Sequence, residues 1–167
     1  MSIRVLVVDD HPIFREALVC ALSCVDGIRV VGEATGGVAA CGSAVELDPD
    51  VILMDLSMGD LSGIDAMQRI HRRRPGMPVV FLTARGDAGL RREALGAGGA
   101  GYVTKGATLL EIVDELRGAV GSHDDARPGE GPSVGVATLD GPEPPAELDQ
   151  ELLGQLGMLV EQGVEVP

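Results

Sequence analysis

The sequence predicts an α/β protein built on a parallel sheet, and three of its features carry that expectation. The first is Val51-Ile52-Leu53-Met54-Asp55, an apolar run that ends on a carboxylate. A strand buried on both faces of a parallel sheet shows no polar alternation, so its first charged residue marks where it leaves the core at its carboxyl end. The second is the exchange of short apolar runs with stretches of helical period, at the spacing of βαβ units. The third is composition: 45% of the residues are hydrophobic but only 2% aromatic, so Val, Leu, Ile, Ala and Met must build the core. Such a core suits layers of helix and sheet.

Taken in order, Ile3-Arg4-Val5-Leu6-Val7-Val8 reads as a first strand running into Asp9 and Asp10. His11-Pro12 follows, and Pro fits the first turn of a helix because the amide hydrogen it lacks has no partner there. Phe14, Ala17, Leu18, Ala21 and Leu22 recur at helical spacing, with Arg15 and Glu16 expected on the other side, and this helix should end near Cys24. Residues 28–34 read as a strand and Val38 to Leu47 as a helix, closed by Asp48-Pro49 because the residue before Pro avoids the helical region.

After the strand ending at Asp55, Ser62-Gly63-Ile64-Asp65 has the form of a capping box. Ile64, Met67 and Ile70 supply the apolar side of its helix, and Arg72-Arg73-Arg74 then Pro75 supply cations and a stop. The arginine run is read as a solvated helix end rather than a nucleic-acid contact. Val79-Val80-Phe81-Leu82 is a further strand ending on Thr83, and Ala88 to Leu95 a weakly apolar helix expected to be lightly anchored. Gly101-Tyr102-Val103 is a fifth strand followed by Thr104 and Lys105. Thr108-Leu109-Leu110-Glu111 is a second capping box, opening a helix with Leu109, Ile112, Val113 and Leu116 on its buried side.

The run Gly96-Ala97-Gly98-Gly99-Ala100-Gly101 matches G-x-G-x-x-G in form only. A dinucleotide fingerprint follows a strand and opens a helix, whereas this run follows a helix and enters a strand. It is read as a glycine-rich connection.

At 167 residues the chain holds one domain with about forty residues to spare. Residues 1–120 form that domain. Residues 121–145, rich in Gly, Pro, Asp and Glu, are expected to be a flexible acidic linker. Residues 146–163 place Leu148, Leu152, Leu153, Leu156, Leu159 and Val160 at helical spacing, a possible amphipathic helix weakened by Gly154 and Gly157. Charge is divided along the same lines. Residues 1–120 carry 16 acidic and 12 basic side chains, whereas 121–167 carry 10 acidic and one basic, a balance that nucleic acid would repel.

Cys20, Cys24 and Cys41 have no metal-ligand spacing and are expected to be reduced thiols in the core. With no apolar run of the ~18 residues a membrane span needs and no signal-peptide pattern, no membrane association is read and a cytoplasmic location is expected.

If the strands ending at Asp9-Asp10 and at Asp55 lie side by side, three carboxylates converge on one patch. Two readings are open. The acids are ordinary solvated groups at strand ends, or they hold a cation, because like charges so close destabilise the fold unless one neutralises them. A few carboxylates completed by water suit Mg²⁺ better than calcium.

The motifs Val7-Val8-Asp9-Asp10-His11-Pro12, Met54-Asp55-Leu56-Ser57-Met58 and Gly101-Tyr102-Val103-Thr104-Lys105, together with Thr83, resemble a response-regulator receiver domain of the NarL/FixJ (LuxR-type) subfamily in two-component systems. The likeness covers residues 1 to about 120 and implies a flavodoxin-like doubly wound (βα)5 fold with strand order 2-1-3-4-5. It implies that Asp55 accepts a phosphoryl group from a histidine kinase. It further implies that Asp10, Asp55 and the Ser57 backbone carbonyl bind Mg²⁺, with Asp9 helping through water, that Lys105 and Thr83 contact the phosphoryl oxygens, and that Tyr102 repacks in the switch. Two positions depart from the subfamily's usual pattern. Gly59 stands where Pro is usual after Met58 and is expected to loosen the loop beside Asp55, and Gly106 stands after Lys105 where many receivers have Pro. The subfamily's helix-turn-helix output has no complete counterpart in residues 146–163.

The expected function is therefore a phosphorylation-dependent switch of protein–protein interactions, not a conventional enzyme. Its partner is a downstream protein or a second copy of the chain, with transcription reached through a DNA-binding partner. In a second reading the receiver is a constitutive, phosphorylation-independent binding module. A third, an aspartate-nucleophile phosphatase, lacks the acid such enzymes place two residues after the nucleophile, where Ser57 stands.

Overall fold

The computed structural model describes residues 2–84, 86 and 88–124. Strands and helices alternate as β1 (Ile3–Val8), α1 (Pro12–Ser23), β2 (Ile28–Ala34), α2 (Gly37–Glu46), β3 (Val51–Asp55), α3 (Gly63–Arg73), β4 (Val79–Thr83), α4 (Ala88–Gly96), β5 (Gly101–Thr104) and α5 (Leu109–Asp124). The sheet is parallel throughout, in the order β2-β1-β3-β4-β5, the expected doubly wound flavodoxin-like arrangement. Helix α5 runs through Asp124, four residues into the stretch expected to be linker. The rest of that stretch and the helix expected over 146–163 lie outside the described residues.

The central strands are apolar on both sides because helices cover both faces, and their side chains alternate between two cores. Val5, Val7, Val51, Leu53, Val80 and Leu82 meet Phe14, Leu18 and Leu22 of α1 and Ile112, Val113 and Leu116 of α5. Leu6, Val8, Ile52, Met54 and Phe81 point the other way, onto Ala40 and Ala44 of α2, Met67 and Ile70 of α3 and Ala94 of α4. The chain's two phenylalanines thus serve one core each. Burying each such Leu, Ile or Met side chain stabilises the fold by roughly 1.5–3 kcal/mol. Helix α4 buries only Ala94, in keeping with the light anchoring its sequence predicts.

Both N-caps form, and the second closes as a full capping box. Ser62 Oγ accepts the Asp65 amide at 3.2 Å and donates to the Asp65 carboxylate at 2.7 Å, while Thr108 Oγ1 accepts the Glu111 amide at 3.3 Å and the Glu111 carboxylate accepts the Thr108 amide at 2.8 Å. The glycine-rich connection has a steric reason: a Cβ on Gly99 would fall 2.8 Å from the Phe81 ring, and Gly98 takes φ +108°.

Two expectations are corrected. Cys20 and Cys24 are exposed and not core thiols, and Cys41 is half-buried at the margin of the second core; helix α1 turns Phe14, Leu18 and Leu22 inward and leaves Cys20 on its outer side. Arg15, expected on the solvent side, is buried because its guanidinium reaches back to the Asp9 carbonyl at 2.8 Å and to Glu33 at 3.1 Å.

Candidate functional site

Parallel register brings the carboxyl ends of β1, β3, β4 and β5 to one edge of the sheet. Val8 pairs with Met54, Asp55 with Leu82, and Thr83 with Thr104, so Asp9, Asp55, Thr83 and Lys105 follow one another across the strand ends. This is the edge at which open α/β sheets bind ligands.

Asp55, Asp9, Thr83 and Lys105 are the polar residues buried there, together with Arg15 behind them. Lys105 Nζ lies 2.9 Å from Asp55 Oδ2 and 2.7 Å from Asp9 Oδ2. Its ammonium also sits 4.9 Å from the centre of the Phe14 ring, a cation–π contact that positions the side chain from below. Burial raises the pKa of Asp55, and Lys105, by charge and by hydrogen bond, opposes that rise without cancelling it. For Lys105 burial acts downward, yet the charges of Asp55 and Asp9 outweigh it and hold the ammonium above its ordinary value. A buried Lys105 therefore stays protonated beside two carboxylates.

The loop after β3 is fixed from within the site. The Ser57 amide donates to Asp55 Oδ1 at 3.1 Å, and the Gly59 amide donates to Asp10 Oδ2 at 3.0 Å. Gly63, at the start of α3, packs so tightly on the Asp55 backbone that a Cβ there would stand 2.5 Å from its carbonyl oxygen. On the other side of the site the Lys105 amide bonds the Thr83 carbonyl at 2.8 Å and the Ala107 amide bonds the Thr104 carbonyl at 3.0 Å, so backbone is held on both sides of Gly106.

Asp9, Asp10, His11 and Asp55 offer ligand atoms that all lie within 4.8 Å of one another. Asp9 Oδ2 is ion-paired with Lys105 at 2.7 Å, whereas Asp10 Oδ1 is buried yet accepts no well-directed hydrogen bond despite His11 Nδ1 at 2.9 Å. A buried acceptor without a donor is costly, and oxygen donors in this number fit a hard divalent cation.

The structure thus gathers Asp9, Asp10, Asp55 and Lys105, with Thr83 at the adjoining strand end. Tyr102 stands apart from the carboxylates on edge strand β5, opposite Phe81, where it is half-buried and its amide donates to Glu115 Oε1 at 3.1 Å. Two site residues escaped the sequence reading as such. His11, noted before Pro12 and within the Val7–Pro12 motif but given no role, was legible from its place beside Asp10. Phe14, taken as core, also supports Lys105, which no local pattern reveals.

This fold and site define a receiver domain of a two-component signalling system. The chain belongs to the response regulator receiver domain family, which matches residues 5–117. It is similar to Response regulator GacA of Pseudomonas viridiflava, with 43% identity over 115 residues, covering 69% of this chain and 54% of that protein. It is also similar to Transcriptional regulatory protein LiaR of Bacillus subtilis (strain 168), with 39% identity over 117 residues, 70% of this chain and 56% of the relative. Among solved structures, the signal receiver domain of the putative response regulator NarL from Mycobacterium tuberculosis superposes with a TM-score of 0.68 at 34% identity, covering 72% of this chain and 97% of that one. The chain spans about half the length of the curated relatives it matches. Among the described residues no helix is long and apolar enough to cross a membrane.

Proposed function

We propose that Asp55 accepts a phosphoryl group from the phosphohistidine of a histidine kinase, and that the aspartyl phosphate switches the protein's interactions with a downstream protein or a second copy of itself. The observation that carries this reading is the setting of Asp55: 2% exposed at the end of the central strand, with Lys105 Nζ at 2.9 Å and the acidic pair Asp9 and Asp10 alongside.

In the reaction a carboxylate oxygen of Asp55 forms a bond to phosphorus as the bond from phosphorus to the donor's imidazole nitrogen breaks, and the imidazole leaves with the bonding electrons. Phosphoryl transfer needs in-line positioning and neutralisation of the equatorial oxygens more than covalent assistance. Ser57 N–H restrains Asp55 Oδ1 and Lys105 restrains Oδ2, so the nucleophile is oriented before the donor arrives. Lys105 then exchanges its contact with Asp55 for one with the transferred phosphoryl oxygens, a charge-assisted bond at a dry site. The Thr83 hydroxyl completes the contacts from the next strand. Asp10, Asp55 and the Ser57 carbonyl would hold Mg²⁺, with Asp9 acting through water, and the ion would supply charge neutralisation for the attacking carboxylate oxygen and the phosphoryl oxygens.

Tyr102 repacks when Thr83 moves toward the phosphoryl group, which carries the change to the β5 edge. An output in transcription through a DNA-binding partner follows from the likeness to a relative named as a transcriptional regulatory protein.

Incubation of the full chain with Mg²⁺ and a small-molecule acyl phosphate tests the reading by intact mass. One added phosphoryl group on the wild type and none on Asp55→Asn is the expected result. No added mass on the wild type, with a known receiver labelled in parallel, would leave the phosphorylation-independent binding module instead.

A further inference from the structure

The phosphotransfer chemistry above makes no use of His11, yet the imidazole is turned into the carboxylate cluster. Its Nδ1 lies 2.9 Å from Asp10 Oδ1, 3.3 Å from Asp9 Oδ1 and 4.0 Å from Asp55 Oδ2. Backbone contacts hold it there. The His11 amide donates to Asp9 Oδ1 at 2.8 Å, its carbonyl accepts the Arg15 amide at 3.0 Å, and it occupies the N-cap position of α1 directly before Pro12. The ring is not serving as a helix cap, since no side-chain cap bond forms at this end of α1.

The spacings are those of atoms that share one ion. Ligands about 2.1 Å from a divalent centre stand roughly 3.0 Å apart when adjacent on an octahedron and about 4.2 Å apart when opposite. By that measure Nδ1 stands as a neighbour of Asp10 Oδ1 and across from Asp55 Oδ2, while Asp9 Oδ1 is taken by the His11 amide. A simple hydrogen bond explains the arrangement less well. Asp10 Oδ1 is buried and 2.9 Å from Nδ1, yet no hydrogen bond of acceptable direction reaches it, and Gly59 already satisfies Oδ2. Asp9, by contrast, has Oδ2 ion-paired with Lys105 at 2.7 Å and Oδ1 bonded by the His11 amide, so the unmet acceptor is that of Asp10. The ring itself is half exposed, which leaves an entry path for an ion.

We infer that His11 Nδ1 is a fourth ligand of the cation held by Asp10, Asp55 and the Ser57 carbonyl, and that this site therefore takes a first-row transition ion such as Mn²⁺ in preference to Mg²⁺. The inference rests on the acidic pocket being the metal site proposed above. Its physical basis is ligand type: carboxylate oxygen suits Mg²⁺ and Mn²⁺ alike, whereas imidazole nitrogen favours the transition ion. Mg²⁺ also holds its waters tightly and gains little from exchanging one for nitrogen.

Mn²⁺ added alone to the full chain provides the test, read by electron paramagnetic resonance. The wild type should show one bound Mn²⁺ with nitrogen modulation of its electron spin echo. His11→Ala should lose the modulation and bind Mn²⁺ about tenfold more weakly, with Mg²⁺ affinity changed less, which also shows that the variant is folded. Bound Mn²⁺ without nitrogen modulation in the wild type, or modulation that persists in His11→Ala, overturns the role of His11 and leaves the acidic metal site standing. Failure of the wild type to bind either ion overturns both.

Discussion

Asp60 caps a helix that begins 23 residues before it. One carboxylate oxygen accepts the Gly37 amide at 3.0 Å and the other the Val38 amide at 3.0 Å, at the N-terminus of α2. The N-cap residue of α2 is Gly36, which has no side chain for the purpose. Asp60 also bonds the Leu61 amide at 2.8 Å, so the loop that leaves Asp55 is tied to α2 by a carboxylate satisfied from three sides. The looser loop expected from Gly59 is thus held at two places, by Asp60 on α2 and by the Gly59 amide on Asp10.

Removing the cap gives a direct stability prediction. Asp60→Ala should lower unfolding stability by about 1 kcal/mol, the usual cost of losing an N-cap side chain, and Asp60→Asn should lower it less because an amide oxygen still accepts from Gly37 or Val38. Urea denaturation of the three proteins measures both. Equal midpoints would show that water replaces the carboxylate without cost.

The pH dependence has a definite sign. Amide hydrogen bonds from Val38 first, then from Gly37 and Leu61, together hold the Asp60 carboxyl below its ordinary value against the upward effect of burial. The Thr108 amide and hydroxyl do the same for Glu111. A carboxyl with a depressed folded pKa binds protons more weakly in the folded chain, so its contribution is complete above the unfolded pKa and is lost as pH falls through the folded one. The urea midpoint should therefore fall on acidification below the ordinary carboxylate range. Part of that slope should vanish in Asp60→Asn, and an unchanged slope in the variant would sink this assignment.

Position 59 needs an amide hydrogen more than it needs glycine. A Cβ there would lie 3.8 Å from Asp10 Oδ2, an ordinary contact, so Gly59→Ala should stay within about 0.5 kcal/mol of the wild type. Gly59→Pro has no N–H for Asp10 and should be about 1 kcal/mol less stable than Gly59→Ala. It should also bind divalent ions differently from Gly59→Ala, since Asp10 is released. Calorimetric titration with Mn²⁺ across the pair reads this, and identical affinities would show that the Gly59 bond does not orient Asp10.

What the sequence made legible follows from the range of the interactions. A strand buried on both faces is a continuous apolar run, so its end at Asp9, Asp55 or Thr83 is visible without any knowledge of neighbours. Capping boxes at Ser62 and Thr108 are equally local. The partners of Asp60, Gly59 and Arg15 are not: each reaches a group brought close only by the fold, and an aspartate in a loop looks the same whether it faces water or a distant helix. Cys20 and Cys24 misled for a related reason. Their type favours burial, but the direction of α1 is set by Phe14, Leu18 and Leu22, which claim the inner side.

The cysteines then give a prediction that separates the three by position. Cys20 and Cys24 are exposed, whereas Cys41 on α2 is half-buried and its sulfur lies 3.8 Å from the Ala66 carbonyl. Burial pushes the Cys41 thiol up from its ordinary value, and the cations of Arg69 and Arg73 offset only part of that. Thiolate is the reactive form, so both access and charge slow Cys41. Native protein treated with a disulfide reagent at neutral pH should therefore show two fast thiols and one slow one, and peptide mapping after brief alkylation should find label on Cys20 and Cys24. Asp60→Ala, by loosening the start of α2, should speed the slow phase without altering the fast ones. Equal rates at all three cysteines would mean that α2 does not shield Cys41 in solution.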